Sequence, residues 1–380
     1  MASAVASAFA APLTALAQAA PAAPAVPTLG QILDASGLAV SGYLDVAYAH
    51  ANRNVEAGLP RVFDNHNNSF VMHQAGLTVA KQPKEGFGGL VNVTVGKDAV
   101  VIHSFDTNAA NDQFDVTQGF IQYASGPLTV IAGKFVTLAS TEVIASPGNT
   151  TFSRSILFGA VPFTHTGLRA TFAASDTVSL TAGLNNGWDQ VRDTNKGKTL
   201  ELGATFTPIK PLTIVASGYF GKEETPQFSL AGTAGTSEGN RSAGNLVVTW
   251  TVTDALTLGA EYLRVAQKNF GSSAAAPAGA QKDAVYSGAA GYVTYMFAPK
   301  WRGVVRVETF TDKDGLRFGA INTKYKEFTT DLGYLATDNV EIRGEIRHDS
   351  ADRAVGIFQD FAGVATKSLT TYALQAIYKF

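Results

Sequence analysis

The residues of this chain that could carry chemistry are charged side chains in a strict alternation. In the stretch "NVEIRGEIRHD", Glu341, Arg343, Glu345 and Arg347 alternate with apolar or small residues. The six His residues are scattered and form no H-E-x-x-H pattern, and the chain has no Cys. We therefore predict no catalytic residue, no metal site and no bound cofactor. The chemistry that remains is electrostatic, because carboxylate and guanidinium groups two residues apart on one face fix alternating charge along a surface.

The same two-residue alternation recurs along most of the chain and predicts about sixteen β-strands. Most span about 10–13 residues, which exceeds the usual globular strand of about 5–6 residues and suits a tilted membrane-crossing strand of about 9–11 residues. The predicted strands lie near residues 38–50, 69–81, 86–98, 115–124, 127–137, 163–174, 177–187, 198–207, 211–222, 240–252, 255–267, 283–297, 300–312, 324–336, 339–348 and 368–380.

The links between these strands alternate in length. Each even-numbered strand before the last is followed by a very short link, such as "QPKE" after the second strand. Short turns at one end and long loops at the other, with an even strand count, predict an all-β transmembrane antiparallel β-barrel with up-and-down topology and both termini periplasmic. The long links, rich in Asn, Asp, Gly, Ser and Pro, lie at 51–68, 99–114, 138–162, 188–197, 223–239, 268–282, 313–323 and 349–367.

The first 27 residues differ in composition from the rest of the chain. They are mostly Ala, carry no charged side chain and contain Ala17-Gln18-Ala19, which resembles the cleavage site of a secretory signal peptide. A low-complexity linker is the alternative interpretation. We expect a leader over 1–27, a short periplasmic lead-in over 28–37 and an outer-membrane barrel over 38–380. The net charge of −2 provides no basic field for nucleic acid.

The charged face of each strand must turn toward the aqueous interior of such a barrel, because an Arg at the lipid midplane costs about 2–4 kcal/mol. For any single residue, an ion pair across the wall that stiffens the barrel is the alternative role. The near balance of the two signs argues against a strong preference for anions or cations. The pore-lining or constriction candidates are Lys134, Glu142, Arg154, His165, Arg169, Glu201, Arg302, Arg306, Glu308, Asp331, Glu341, Arg343, Glu345 and Arg347.

The longest link, 138–162, is unusually apolar and includes Ile144, Phe152, Ile156 and Leu157. An external loop of that composition needs cover, and in a barrel the available cover is the interior. We therefore expect the loop to fold inward and narrow the pore, with Glu142 and Arg154 at the constriction. The alternative is a loop packed on the rim or against another subunit, with Arg154 in a structural salt bridge.

The chain ends with an alternating strand, "SLTTYALQAIYKF", whose last residue is aromatic. Tyr372, Tyr378 and Phe380 share one face with Leu374 and Ala376. This strand must pair with the first predicted strand to close the barrel and remove both sheet edges. The pattern is similar to the terminal aromatic signal of bacterial outer-membrane proteins, which implies recognition of this end by the barrel-assembly machinery.

Several stretches resemble the OmpL-like β-barrel porin family. They are "SGYLDVAYAH" (41–50), "FDNHNNSF" (63–70), "GKF" (133–135), "EVIASPGNTTFSRSILF" (142–158), "PFTHTGLR" (162–169) and "GLNNGWD" (183–189). The stretches between 142 and 189 are the most specific, and the resemblance runs from about residue 38 to the end. The resemblance implies an outer-membrane porin of a Gram-negative bacterium. It identifies neither a transported substrate nor catalytic residues.

Two functions remain open from the sequence, and a soluble β-protein is a third alternative. The leading one is a porin, without enzymatic activity, that forms a water-filled channel for passive diffusion of ions and small hydrophilic solutes. The alternative is a barrel that anchors an adhesin or a surface enzyme and has no conducting pore. The expected partners are outer-membrane lipid, the barrel-assembly machinery and small solutes, but no nucleic acid. Porins of this size are trimers or monomers, and the sequence leaves a homotrimer open.

Overall fold

The computed structural model describes residues 28–54, 60–104, 112–193, 195–224, 238–271 and 281–380. The expected leader over 1–27, with its cleavage candidate at 17–19, lies outside the described residues, as do parts of five of the long links. The chain divides into two units, Met1–Gly37 and Leu38–Phe380.

In the first unit, the segment expected as a lead-in contains a short helix, α1 (Leu29–Ser36). A reciprocal pair of hydrogen bonds starts this helix. The Gln31 amide donates to Thr28 Oγ1 (3.3 Å), and the Thr28 amide donates to Gln31 Oε1 (2.8 Å). Such a capping box satisfies two amide groups that lack partners in the first helical turn.

The second unit is a barrel of sixteen antiparallel strands, which confirms the predicted fold class. Their alternating apolar and polar residues give each strand two different faces. The strands are β1 (Ala39–Ala51), β2 (Ser69–Lys81), β3 (Gly86–Val95), β4 (Phe114–Ser125), β5 (Leu128–Val136), β6 (Thr164–Ala173), β7 (Val178–Asn185), β8 (Thr199–Ile209), β9 (Leu212–Glu224), β10 (Glu238–Thr251), β11 (Leu256–Gly271), β12 (Gln281–Ala298), β13 (Trp301–Asp312), β14 (Thr323–Leu335), β15 (Val340–Gln359) and β16 (Ala365–Lys379).

Each strand pairs with its neighbours in sequence, and β1 pairs with β16 to close the sheet. In that closing register Leu44 lies opposite Tyr378, and the Phe380 amide donates to the Gly42 carbonyl (2.9 Å). Because the strand number is even, the start of β1 and the end of β16 lie at the end of the barrel that carries the short turns. Among the described residues, no helix is long and apolar enough to span a membrane.

Several strand boundaries differ from the sequence prediction by a few residues, and two of the differences change the structure assigned to a segment. The predicted link 349–367 is mostly strand, because β15 continues to Gln359 and pairs with β16 from Ala365 onward through irregular register. Conversely, β3 ends at Val95, and a short helix, α2 (Ala99–Ile102), follows. Gly96 makes this change of direction with φ of +124°, and a Cβ there would lie 2.5 Å from the His73 carbonyl oxygen.

The outer face of the wall is apolar over its height. On β8, Leu202 and Phe206 are each 44% exposed, whereas Glu201 on the opposite face is fully buried. Aromatic side chains lie outward near the short turns, and Trp301 packs on Tyr334 with ring centroids 4.6 Å apart. This distribution is that of a barrel with a lipid-facing outer surface and an aromatic girdle.

The hydrophobic core lies inside the barrel, toward the end with the long loops. Ile156, Leu157 and Val161, from the link between β5 and β6, pack there with Tyr286 and Phe310 of the wall. A second cluster joins Phe158 of the same link to Val62, Phe63 and Ile102 from two other long links. The long-loop half of the interior is therefore packed, as in a soluble protein core.

Candidate constriction of the barrel interior

The segment between β5 and β6, residues 137–163, crosses the interior of the barrel, and we call it the inner loop. Its two 3₁₀ turns are Ser146–Gly148 and Phe158–Ala160. It contacts interior side chains of β1, β2, β9 to β13 and β15, which lie on all sides of the barrel. The inward course predicted from its apolar residues is thus confirmed, and Ile156 and Leu157 are fully buried.

Arg306 on β13 is the centre of the contacts between wall and inner loop. Its guanidinium donates to Glu142 Oε1 (2.6 Å), to the Ser153 carbonyl (2.8 Å) and to Ser153 Oγ (2.9 Å). It also pairs with Glu327 on β14 at 3.1 Å. Because Arg306 is fully buried, these partners replace the water that a guanidinium would otherwise bind.

Two carboxylates on the wall accept backbone amides of the inner loop. Glu308 accepts from Ile156 (2.8 Å) and Leu157 (2.7 Å), and Glu345 accepts from Ser153 (3.0 Å). These amide N–H groups lie outside helices and strands and so lack the usual backbone acceptors. A carboxylate that accepts two of them supplies the missing hydrogen bonds. These contacts fix the second half of the inner loop against β13 and β15.

Two arginines hold carbonyl groups of the same segment. Arg343 donates to the Asn149 carbonyl (2.7 Å), and Arg302 donates to the Thr150 carbonyl (3.1 Å). Glu341 lies between the two guanidinium groups, 2.7 Å from Arg343 and 2.5 Å from Arg302. We call the whole set the clamp face: Arg302, Arg306, Glu308, Glu341, Arg343, Glu345 and Arg347.

Arg154 closes the inner loop on itself. Its guanidinium donates to the carbonyl groups of Val143 (2.9 Å), Ile144 (2.9 Å) and Phe152 (2.8 Å). Its own carbonyl accepts from Arg347 of the clamp face. Arg154 therefore shapes the loop, and its guanidinium donates to groups of the inner loop itself rather than into a passage.

The first half of the inner loop is held by the other strands. The same chemistry recurs here, with wall side chains binding loop backbone and hydroxyl groups. The contacts are Leu138 N to Tyr219 Oη (2.9 Å), Ser140 N to Asn245 Oδ1 (3.0 Å), Thr141 N to Glu261 Oε2 (3.0 Å), Ser146 Oγ to Asp45 Oδ2 (2.5 Å) and Gln74 Nε2 to the Ile144 carbonyl (3.0 Å).

The remaining candidates do not form one cluster. Arg169 pairs with Glu201 through two hydrogen bonds of 2.7 Å, and its guanidinium lies 4.1 Å from the Phe135 ring centroid. His165 stacks on Tyr219 at 4.8 Å. Lys134 pairs with Asp115 at 3.1 Å.

Asp331 differs from the other candidates. It lies opposite Glu345 in the pairing of β14 with β15 and is 2% exposed. Neither of its carboxylate oxygens has a hydrogen bond among the described residues. The sequence-based expectation of charges facing water thus needs correction for the clamp face, because the inner loop covers these side chains and makes six of the seven partners of its backbone.

The far end of the inner loop is held by a carboxyl group of the next long loop. Asp189 Oδ1 accepts the amides of Phe163 (2.7 Å) and Thr164 (2.8 Å). Burial raises the pKa of Asp189 to about 7. The protonation state of this group therefore changes near neutral pH.

A cavity of about 200 Å³ lies between the inner loop and the wall formed by β3 to β5. Its wall side is polar and uncharged, and its loop side is largely apolar. The lining includes Asn92, Thr94, Thr117 and Gln118 from the wall, and Leu138, Ser140, Glu142, Val143, Ile144, Phe158 and Phe163 from the loop. In the part of the chain that the structure describes, no group of His, Asp or Glu is placed to hold a metal ion.

Residues 37–380 match the protein family described as "Putative beta-barrel porin-2, OmpL-like". That match covers the whole barrel. The chain belongs to this porin family. A search of curated proteins found no match.

Solved porins share the fold of this porin. OmpT of Vibrio cholerae, in its trimer form, is 13% identical with a TM-score of 0.60. The match covers 90% of this chain and 99% of the OmpT chain. DcaP, an outer-membrane channel of Acinetobacter baumannii, is 13% identical with a TM-score of 0.60. The match covers 90% of this chain and 97% of the DcaP chain. OprB of Pseudomonas putida is 13% identical with a TM-score of 0.60. The match covers 92% of this chain and 96% of the OprB chain.

The family and the fold together place this porin in the bacterial outer membrane. They are those of a channel. The resemblance noted from the sequence stretches is thereby confirmed.

Sequence reasoning missed the neutral residues of the site. Asn92, Thr94, Thr117 and Gln118 line the cavity, but polar uncharged residues on a strand do not stand out from other interior positions. The alternation in "LVNVTV" (90–95), where Asn92 and Thr94 share the face opposite Val91 and Val93, is the signal that could have found them. Gln74, which holds the inner loop, was missed for the same reason, and Asp45 was missed although it is acidic.

Proposed function

We propose that this porin lets ions and small hydrophilic solutes diffuse passively across the outer membrane, past the inner loop. The short-turn end, with both ends of the barrel, then faces the periplasm. The observation that carries the proposal is the inner loop itself, which crosses the interior and is held to the wall by the clamp face. A barrel that served only as an anchor would have no need of a loop fixed across its interior.

The proposed partners follow from the surface and from the related structures. The apolar outer face, with Leu202 and Phe206 exposed, fits outer-membrane lipid or a second copy of the chain. OmpT of Vibrio cholerae has been solved in a trimer form, which supports a homotrimer here. The Ala-rich residues 1–27 would serve as the export signal.

We propose that Tyr372, Tyr378 and Phe380 are read by the barrel-assembly machinery. Each of the three side chains is about half exposed on the outer face of the closing strand. Replacing Phe380 by Lys should lower the amount of assembled barrel in the outer membrane while export to the periplasm continues. Phe380→Tyr, which keeps an aromatic ring at the last residue, is the control and should assemble as the wild type does.

Planar-bilayer recording of the purified protein tests the proposed function. The expected result is a series of discrete ion-current steps, each a single insertion. Protein that is folded and inserted, as judged by protease protection in vesicles, yet gives no steps would contradict the porin function and favour an anchor for an adhesin or a surface enzyme.

A further inference from the structure

The cavity beside the inner loop has two chemically different walls. On the wall side, Thr94 and Thr117 hydrogen-bond each other through their hydroxyl groups (2.7 Å). Gln118 Oε1 accepts the Val136 amide (3.3 Å), and its amide nitrogen has no hydrogen bond among the described residues. Asn92 completes this wall, which therefore offers hydroxyl and amide groups without a net charge.

The loop side of the cavity is largely apolar. Val143 and Ile144 lie there with Phe158 and Phe163, whose rings stack at 5.2 Å. A surface of this kind packs against C–H groups, whereas the opposite wall hydrogen-bonds hydroxyl groups. The combination suits a solute whose carbon skeleton is apolar on one side and hydroxylated on its edge.

The one acid in the lining is already neutralised. Glu142 accepts from Arg306 (2.6 Å) and from the Ser155 amide (2.6 Å), so its charge is shared with the clamp face. Tyr43, at the edge of the cavity, donates its hydroxyl to Gln74 (2.6 Å). An ion in the cavity would leave water without gaining an opposite charge, which is unfavourable.

The interior below the inner loop carries the same neutral chemistry on half of its circumference. Eight threonines on β5 to β12 face inward near the short-turn end and are partly exposed, and we call them the threonine arc. Several lie opposite one another in register, such as Thr171 and Thr181, whose hydroxyl oxygens are 3.1 Å apart. The arc consists of Thr129, Thr171, Thr181, Thr205, Thr213, Thr249, Thr257 and Thr294.

The volume limits what the cavity can hold. The cavity volume is about 200 Å³. This volume is in the size range of one small polyol or one monosaccharide.

We propose that this cavity is a binding subsite for one small, neutral, polyhydroxylated solute, such as a pentitol or a monosaccharide, along the solute path. The proposal rests on the proposed porin function and adds the class of solute to it. Asn92, Thr117 and Gln118 would bind the hydroxyl groups, and Val143, Phe158 and Phe163 would pack against the carbon skeleton.

Liposome swelling with the full-length porin tests this proposal. The probes are xylitol and glucose as neutral solutes, and gluconate and glucosamine as charged solutes of similar size. The test variant is Asn92→Leu with Thr117→Val, and the control is Thr257→Val, which removes a threonine-arc hydroxyl outside the cavity. All three proteins are first checked for heat-modifiable migration, which reports a folded barrel.

We expect xylitol and glucose to enter faster than gluconate and glucosamine through the wild type. In the double variant the neutral solutes should slow by about fivefold for each lost hydrogen bond, while Thr257→Val behaves as the wild type. Solute rates that follow size alone, or an unchanged double variant, would overturn the subsite and leave the porin function standing. Absence of both swelling and ion steps in the wild type would overturn both.

A second measurement, on the wild type, tests the proposal even if the double variant does not fold. Xylitol added to the wild-type channel at rising concentration should reduce the ion current in a saturable way, because one bound solute blocks the subsite. A current that falls only in proportion to the solution conductivity would overturn the proposal.

Discussion

The clamp face and the threonine arc lie on different strands of the same interior and differ in chemistry. The clamp face carries seven charged side chains on two strands, and most of them are buried against the inner loop. The threonine arc spreads eight neutral hydroxyl groups over eight strands and stays partly exposed. The comparison teaches that the fixed charges of this barrel hold a loop in place, whereas the surface open to solutes is neutral.

The largest expected effect is on Arg306, at the centre of the clamp face. Arg306→Ala leaves Glu142 and Glu327 buried without their partner, and breaking a buried pair in this way costs about 3–5 kcal/mol. We expect a lower urea midpoint for unfolding in detergent and a noisier, larger single-channel current, because the inner loop is released. Thr205→Ala in the threonine arc is the matched control and should change neither quantity. A current of unchanged size and noise in Arg306→Ala would mean that the clamp face does not fix the loop.

The next effect concerns Asp189 at the far end of the inner loop. Burial raises its pKa to about 7, so the folded protein favours the protonated carboxyl. Its contribution to stability is therefore complete below about pH 4 and is lost as the pH rises through about 7, a change of at most about 4 kcal/mol. Asp189→Asn keeps an oxygen that can accept the amides of Phe163 and Thr164.

Urea midpoints of the wild type and Asp189→Asn, measured from pH 4 to pH 8, check this prediction. The difference between the two proteins should be small at pH 4 and should grow in favour of the Asn variant toward pH 8. A constant difference over the whole range would show that Asp189 does not titrate there.

A smaller effect is expected at Glu308, whose carboxylate accepts two loop amides. Glu308→Ala leaves the amides of Ile156 and Leu157 without partners, at about 1–3 kcal/mol. Glu308→Gln retains one acceptor oxygen and should lose less. Hydrogen exchange of the Ile156 and Leu157 amides should speed up more in the Ala variant than in the Gln variant, and equal protection in the two would contradict the role of the carboxylate.

The smallest effect on stability, below about 0.5 kcal/mol, is expected in the threonine arc, because its members are partly exposed to the interior. Thr205→Lys should leave the urea midpoint unchanged and shift the reversal potential in a salt gradient toward anion selectivity. The same Lys at Leu202, on the lipid face, is the contrasting variant and should impair the barrel itself. An unchanged reversal potential would place Thr205 outside the ion path.

The barrel could be predicted from the sequence because two faces recur in sixteen strands and two link lengths alternate between those strands. Leu202 and Phe206 on one face and Glu201 on the other already define a wall between two media. The extension of β15 escaped notice because Asp352 and Arg353 interrupt the alternation before Val355 resumes it.

The inward course of the inner loop also followed from residues such as Ile156 and Leu157, which need cover. Its partners did not follow, because Glu142 and Arg306 are 164 positions apart and meet only when the strand register is known. For the same reason, the sequence could not show whether a charged side chain in the interior faces water or contacts the inner loop. Neutral cavity residues such as Thr117 carry no distinguishing pattern at all.

The central claim is that the inner loop, held by the clamp face, sets the width of the channel. Deleting residues 146–154 removes the segment that the clamp face binds, and water in the widened interior can then hydrate the released charges. The most direct test is the single-channel conductance of this deletion beside that of the wild type. We predict a clearly larger conductance for the deletion; an equal conductance from a folded deletion barrel would contradict the account.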